Sequence, residues 1–344
     1  MKAIVYENYG SPDVLQLKEV DKPIPTENEV LVKVCASSVN PLDWHNLRGK
    51  PVLQRAESGL IKPKKKILGA DVAGRVEAVG RSVTRFKPGD EIFADLYWDG
   101  FGAFAEYVCV PEDATALKPA AVTFEQAAAA PQGAITALHA LRDSGEVQPG
   151  QKVLVNGASG GVGTFVVQIA KAYGAEVTGV CSTRNLEMVR SIGADEVIDY
   201  TQQDFTQNGQ RYDLIVDNVA NHSIPDLGRV LIPGGRCVVV GFSTLFHLLN
   251  LTLLGPWISR TQGKQIGMLW PKKNDKDLME VKELLEAGLI TSVVDRCYPF
   301  SEVPHAIRYL EEGHARGKVV ITMNPIRQNE RSHGPMEYER KNSS

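Results

Sequence analysis

The stretch Lys152-Val-Leu-Val-Asn156-Gly157-Ala158-Ser159-Gly160-Gly161-Val162-Gly163-Thr-Phe-Val-Val-Gln-Ile-Ala170 reads as a strand, a glycine-rich turn and the opening of an apolar helix. Ala158, Gly160 and Gly163 have the spacing of a dinucleotide-binding turn with Ala at its first position. Small residues are needed there because the backbone must turn tightly and approach a pyrophosphate closely. The free N–H groups and the positive helix end then face the phosphates. A glycine pattern alone is a weak signal, and an ordinary packing turn in another α/β protein is the alternative. The context favours the binding turn: a strand before it, a helix after it, and a second strand at Glu176–Cys181. The candidate cradle is Ala158, Ser159, Gly160, Gly161, Val162 and Gly163.

Outward from the loop, strands and helices alternate. Strands are expected at Lys152–Val155, Glu176–Cys181, Val197-Ile198, Asp213–Val216 and Arg236–Val240. Helices are expected at Val162–Tyr173, Asn185–Ile192 and around Leu227–Leu231. Upstream, Thr123-Phe-Glu-Gln126 is a capping box for an alanine-rich helix running toward Leu141. This pattern implies βαβ units and a doubly wound parallel sheet. Residues 1–122 differ. Met1–Tyr6, Val30–Cys35, Val72–Val79 and Phe104–Val110 are strand-like runs separated by turn signals such as Lys87-Pro88-Gly89-Asp90, which suggests a partly open barrel. After Pro271, an amphipathic helix (Asp275–Ala287), two strands (Val293–Tyr298, Lys318–Thr322) and a helix (Glu302–Glu311) should return the chain to that first domain. The expected division is 1–122 with 271–324, then 123–270, with 325–344 a polar disordered tail.

The formal net charge of −3 gives no basic excess for nucleic acid. Five cysteines without a CxxC pair suit reduced thiols, and the N-terminus has no signal-peptide pattern, so a cytoplasmic location is expected. The apolar run Leu245–Leu254 is too short to span a membrane. It reads as a helix covering the cleft mouth and favouring bulky apolar acceptors; a dimer contact, plain core and a lipid-facing surface stay open.

Cofactor choice depends on the tip of the second strand. An Asp or Glu there would take a ribose 2′-OH. This chain has Cys181-Ser182-Thr183-Arg184-Asn185 instead. Ser182 and Arg184 suit a 2′-phosphate, and hence NADPH. Alternatively, Ser182 is only an N-cap and Arg184 a solvated first-turn residue.

Four motifs carry a family resemblance: Ala36-Ser-Ser-Val-Asn40-Pro41-Leu-Asp43, Gly69-Ala-Asp71-Val-Ala-Gly74, Asn156–Gly163, and Gly313-His-Ala-Arg316-Gly-Lys318. From about Met1 to Thr322 the chain resembles a medium-chain dehydrogenase/reductase of the zinc-independent quinone-oxidoreductase branch. The resemblance implies a GroES-like β-rich catalytic domain from both chain ends and a Rossmann domain between them. It also implies a cleft for NADPH and substrate, and a homodimer. By it, Ser182, Thr183, Arg184 and Tyr200 lie near the adenosine phosphate. Gly241, Phe242 and Ser243, with His314, Ala315 and Arg316, lie along the cofactor's far side.

Zinc-dependent relatives have Cys at the position of Asn40 and Gly-His-Glu at Gly69-Ala70-Asp71, so no metal is expected. Their structural lobe needs four close cysteines, and between Phe93 and Val110 there is only Cys109. Cys35 and His45 form a weak candidate ligand pair. Without a Lewis acid, a quinone or α,β-unsaturated carbonyl is the easier acceptor, because it delocalises the charge delivered with a hydride. Asn40 is the first candidate donor to the acceptor oxygen, with a structural amide as its alternative. Asp43 would orient the loop or cofactor. Tyr97 would supply a proton or form a wall, and the final proton could come from water. Two other functions fit the same glycine loop: a zinc-free alcohol dehydrogenase or aldehyde reductase, and a non-catalytic NADPH-binding module.

Overall fold

The computed structural model describes residues 1–51, 55–241, 251–252, 255 and 260–323. Phe242, Ser243, most of the run Leu245–Leu254 and the tail 325–344 lie outside them. Of that run, Leu251 and Thr252 are described; Leu251 is helical and buried against Ile215, Ile224 and Ile266.

The strands are β1 Lys2–Val5, β2 Gln16–Glu19, β3 Glu29–Val39, β4 Asp71–Val79, β5 Glu91–Asp95, β6 Tyr107–Pro111, β7 Thr115–Leu117, β8 Lys152–Asn156, β9 Glu176–Cys181, β10 Glu196–Asp199, β11 Tyr212–Asp217, β12 Leu231–Val239, β13 Gln265–Met268, β14 Val294–Pro299 and β15 Lys318–Thr322. The helices named here are α1 Pro41–Arg48, α2 Arg55–Ser58, α3 Phe124–Ala128, α4 Pro131–Leu138, α5 Gly163–Ala172, α6 Leu186–Ser191, α7 Ile224–Arg229, α8 Asp277–Glu286 and α9 Val303–Glu311.

One sheet has the order β10-β9-β8-β11-β12-β13, parallel throughout. Its strands alternate side chains between two buried faces. Val153 and Val155 join the core under α4, α5 and α8, while Leu154 joins the opposite core with Ile215, Leu227 and Val239. This is the doubly wound Rossmann arrangement. Its order reverses beside β8, so the ends of β8 and β11 open the crevice where such sheets bind ligands.

The other sheet has the order β14-β15-β3-β4-β5-β7, and β6 also pairs with β3. This is the GroES-like part. Residues from the far end of the chain complete it, since β15 pairs antiparallel with β3. Two register shifts against β4, at Leu31/Val32 and Val34/Ala36, let the eleven-residue β3 bend enough to serve three neighbours.

Several local expectations change. The alanine-rich helix is not continuous toward Leu141. After its capping box it stops at Ala128, and Pro131, which lacks an N–H, opens α4 afresh. A π-helical turn, His139–Ser144, then follows. Leu231 belongs to β12 and not to a helix, because α7 ends at Arg229. Phe104 precedes β6, although its carbonyl still accepts from Ile4.

Candidate active site

The glycine loop leaves β8 at Asn156. Gly157 has φ +77°, and a Cβ on Gly163 would fall 2.1 Å from the carbonyl oxygen of Gly157. Gly163 therefore permits the close approach of turn and helix, while Gly160 and Gly161 keep the upper surface low. The Thr164 N–H donates to the Gly160 carbonyl, and those of Phe165 and Val166 to the Val162 carbonyl (3.0 Å each), so the amides left for a ligand belong to the turn ahead of α5. These features form a cradle that side chains would fill, and its geometry fits a pyrophosphate.

Beside the cradle, Asn185 Nδ2 donates to Ser159 Oγ (3.0 Å) and Ser182 Oγ (3.2 Å), tying the loop to the tip of β9. Ser182 occupies an N-cap position but makes no side-chain cap bond. Thr183 is already engaged: its hydroxyl donates to Asp199 Oδ2 at 2.5 Å. Asp199 is a carboxylate that the reading of the β9 tip alone missed, because it comes from the next strand. Hydroxyl donors hold its carboxyl below the usual range, that of Thr183 first. Tyr200 is exposed, and its N–H donates to the Cys181 carbonyl.

Arg184 donates to the His314 carbonyl (2.9 Å), and Arg316 reaches back toward the Arg184 carbonyl (3.4 Å). His314 and Arg316 thus gather beside Arg184 at the tip of β9. The 313–317 turn joins α9 to β15, and Gly317 bridges to Gly160, which holds the turn over the glycine loop. Ala315 packs with Val319 and Ile321 in the barrel core.

At the inner end three strand ends meet. Ser38 stands opposite Asp71 across β3–β4 and opposite Val320 across β3–β15. This register places Asn40, Asp71 and Lys318 together, all buried. Asp71 Oδ2 accepts from Ser38 Oγ (2.5 Å), Asn40 Nδ2 (2.9 Å) and Lys318 Nζ (3.1 Å), while Oδ1 accepts from the backbone N–H of Gln132 (2.9 Å). Lys318 also donates to Asn40 Oδ1. Asn40's second amide contact, to the Ser38 carbonyl, is a weak 3.5 Å. The Lys318 stem lies against the cradle, its Cδ 3.1 Å from where a Cβ on Gly161 would be.

Asp43 supports this corner from below. Its Oδ2 takes the Asn40 N–H (2.8 Å), closing the cap of α1, and its Oδ1 takes the Gly69 N–H (2.9 Å). Burial, against those two bonds, pushes its carboxyl up to about 7. Asp95 is also pushed up to about 7, by desolvation first and then by the Asp71 charge. Tyr97 donates its N–H to Asp95 (2.8 Å) and meets Trp98 and Phe101 edge-on. Gln132, whose N–H bonds Asp71, also carries in Oε1 a buried acceptor without a partner. Gly241 ends the described chain beyond β12, and no atom lies within 4 Å of a Cβ built there.

Both side-chain oxygens at the positions where zinc-dependent relatives carry ligands, Asn40 Oδ1 and Asp71 Oδ2, are bonded to the Lys318 ammonium. A divalent cation would have to displace a buried cation of its own sign, so these donors do not fit a metal. His45 stacks on Trp44 (3.7 Å) and bonds the Lys50 carbonyl. Among the described residues no group of three or more His, Cys, Asp or Glu could hold a metal ion. Also among them, no helix is long and apolar enough to cross a membrane.

Residues 26–120 match the family described as alcohol dehydrogenase GroES-like domain, and residues 192–321 match that described as zinc-binding dehydrogenase. A mitochondrial NAD(P)H oxidoreductase of Mus musculus, RTN4IP1, is 37% identical across 94% of this chain and 89% of its own length. A 2-methylene-furan-3-one reductase of Solanum lycopersicum is 36% identical across 93% of this chain and 79% of its own. Among solved structures, a quinone oxidoreductase from Coxiella burnetii superposes with a TM-score of 0.81. It is 30% identical and covers 94% of this chain and 99% of that one.

Proposed function

The chain belongs to the medium-chain dehydrogenase/reductase superfamily of nicotinamide-dependent oxidoreductases, and on that premise we propose that it is an NADPH-dependent, zinc-independent reductase of quinones or α,β-unsaturated carbonyls. One observation carries the reading: the Lys318 ammonium bonded to both Asn40 Oδ1 and Asp71 Oδ2 beside Gly161. The inner corner then offers fixed polar groups but no Lewis acid. That suits a conjugated acceptor better than an alcohol.

When bound, the nicotinamide supplies the hydride. The residues of this chain supply position and charge. Ala158, Ser159, Gly160, Gly161, Val162 and Gly163 would hold the pyrophosphate. Ser182, whose hydroxyl is not used in capping, and Arg184 with Tyr200 would hold the 2′-phosphate. Asn40 is the candidate donor to the acceptor oxygen. It can turn toward that oxygen the N–H now spent on the 3.5 Å contact with Ser38. Asp43 fixes the loop that carries Asn40, and Tyr97 walls the acceptor site. A homodimer belongs to the same reading. Among the described residues β13 has a neighbour on one side only, with Trp270 exposed beyond it, and such an edge accepts a second copy.

The test is NADPH oxidation by the purified chain across quinones, enones and aldehydes, with bound metal measured on the same sample. Turnover with quinones or enones, unchanged by a chelator and without stoichiometric zinc, is expected. One tight zinc per chain whose removal abolishes turnover would overturn zinc independence. NADPH bound but never consumed would leave a non-catalytic module.

A further inference from the structure

The loop between α2 and β4 carries Gly59-Leu60-Ile61-Lys62-Pro63-Lys64-Lys65-Lys66. Leu60 is 74% exposed and Ile61 87%. Single exposed aliphatics are ordinary on a protein surface. Among the described residues, however, these two are the only consecutive pair of large exposed apolar side chains.

The loop that displays them is pinned at its base. Gly59 sits at φ +121°, and a Cβ there would fall 2.1 Å from the Lys62 carbonyl oxygen. The Lys64 N–H donates to the Ser58 carbonyl (2.8 Å), the Gly59 N–H to the Arg55 carbonyl (2.9 Å), and the Tyr9 hydroxyl to the Gly59 carbonyl (2.5 Å). Pro63 is buried. The tip is therefore held outward by a defined turn.

Four ammonium groups flank the tip. Two nearby acids are otherwise engaged. Glu7, within electrostatic reach of Lys62 and Lys66, is bonded to Lys18 (2.8 Å), and Asp99 is paired with Lys273 (3.1 Å). Lys65 lies over Gly100, with its Nζ 2.3 Å from a Cβ built there. That brings the loop against the one carrying Trp98, which is half exposed.

We propose that this loop docks the protein on an anionic lipid bilayer, with Leu60 and Ile61 entering the headgroup–acyl boundary and Lys62, Lys64, Lys65 and Lys66 meeting the lipid charge. A nucleic acid or an acidic protein would use the lysines but leave two projecting aliphatics unaccounted for. A bilayer uses both, and an interfacial tryptophan suits the same boundary. The chain passes from Lys66 to the buried Asp71 within five residues. The docking does not rest on the reductase reading, and its test needs no turnover.

The test is co-sedimentation of the full chain with phosphatidylcholine vesicles, with and without phosphatidylserine. Binding only when phosphatidylserine is present, weakened by salt, is expected. Each of Lys62→Gln, Lys64→Gln, Lys65→Gln and Lys66→Gln should lower the partition coefficient about fivefold. Leu60→Ser with Ile61→Ser should lower it about tenfold or more per side chain inserted. All variants should melt at the wild-type temperature, which separates lost binding from lost fold. Absence of wild-type binding to phosphatidylserine vesicles overturns the proposal. So does vesicle binding unchanged by the Leu60/Ile61 exchange, and wild-type capture by a soluble polyanion in preference to vesicles would then identify an acidic macromolecule as the partner.

Discussion

The two ends of the cleft are assembled in different ways. At the end proposed for the adenosine phosphate, Ser159, Ser182, Arg184 and Asn185 come from one βαβ unit and bond mostly through neutral groups, and all but the buried Asn185 reach solvent. At the inner end, Ser38, Asn40, Asp71, Gln132 and Lys318 come from four distant segments and share one buried carboxylate. The first kind of site tolerates the loss of a member, because water can replace the missing partner. The second does not, because a lone buried charge has no such substitute. The adenosine end should therefore govern affinity, and the inner end should govern whether the domain holds together.

The largest test of that contrast is Lys318→Met. It leaves Asp71 buried without its counter-ion and should cost about 3–5 kcal/mol of stability, read by urea unfolding. Adding Asp71→Asn should recover part of the loss. A single variant within 1 kcal/mol of wild type, roughly the scale of an exposed pair, would erase the distinction between the two ends.

Arg184→Ala should leave stability nearly unchanged while weakening NADPH by about 1.5–3 kcal/mol and NADH far less, measured by titration of each cofactor. Equal weakening of both would remove Arg184 from 2′-phosphate recognition.

A third test uses pH. Asp43 and Asp95 rise from 3.8 to about 7 in the fold. Their contribution to stability is full below about pH 4 and is lost as pH rises through about 7, because the native state holds the protons longer. Asp43→Asn should cost about 1–3 kcal/mol at low pH, since one of its two buried N–H donors then faces an amide NH₂. It should also flatten the decline between those limits. Asp195 and Asp277, whose carboxyls are held low, act in the opposite sense, so the wild-type-minus-variant difference is the quantity to plot.

The smallest effect is expected at Asn185→Ala. It removes the tie between Ser159 and Ser182, and should weaken both cofactors alike by about 0.5–1.5 kcal/mol in the same titrations. A preference for one cofactor would mean that Asn185 also takes part in reading the 2′ position.

The same contrast explains what could be read in the amino-acid sequence. The Rossmann sheet was legible because its signals are local: glycine spacing, alternating strands and helices, one capping box. The grouping of Ser159, Ser182, Arg184 and Asn185 is local in the same way, whereas the approach of Asp199, His314 and Arg316 to them depends on the ends of β10 and β15. Asn40 and Asp71 could be noticed as replacements within motifs. Their bonding to Lys318 could not, because it follows from the β3–β4 and β15–β3 registers across nearly the whole chain. The short strands β2, β5, β7 and β13 were missed, since each holds at most one β-branched residue, whereas the equally short β1, β8, β10 and β15 hold two or more.

The placement of β15 also bears on synthesis. It lies between β14 and β3 in its sheet, yet it emerges last of all the strands. While a ribosome extends the chain from Pro111 to Thr322, β3 keeps an open flank, for roughly ten to forty seconds at ordinary elongation rates. Such a flank is a template for wrong pairing, so the nascent N-terminal half is the stage at which a chaperone matters most. Lys318 is delivered by that final strand, so the buried corner of the cleft is completed only after every other site residue described here has been made.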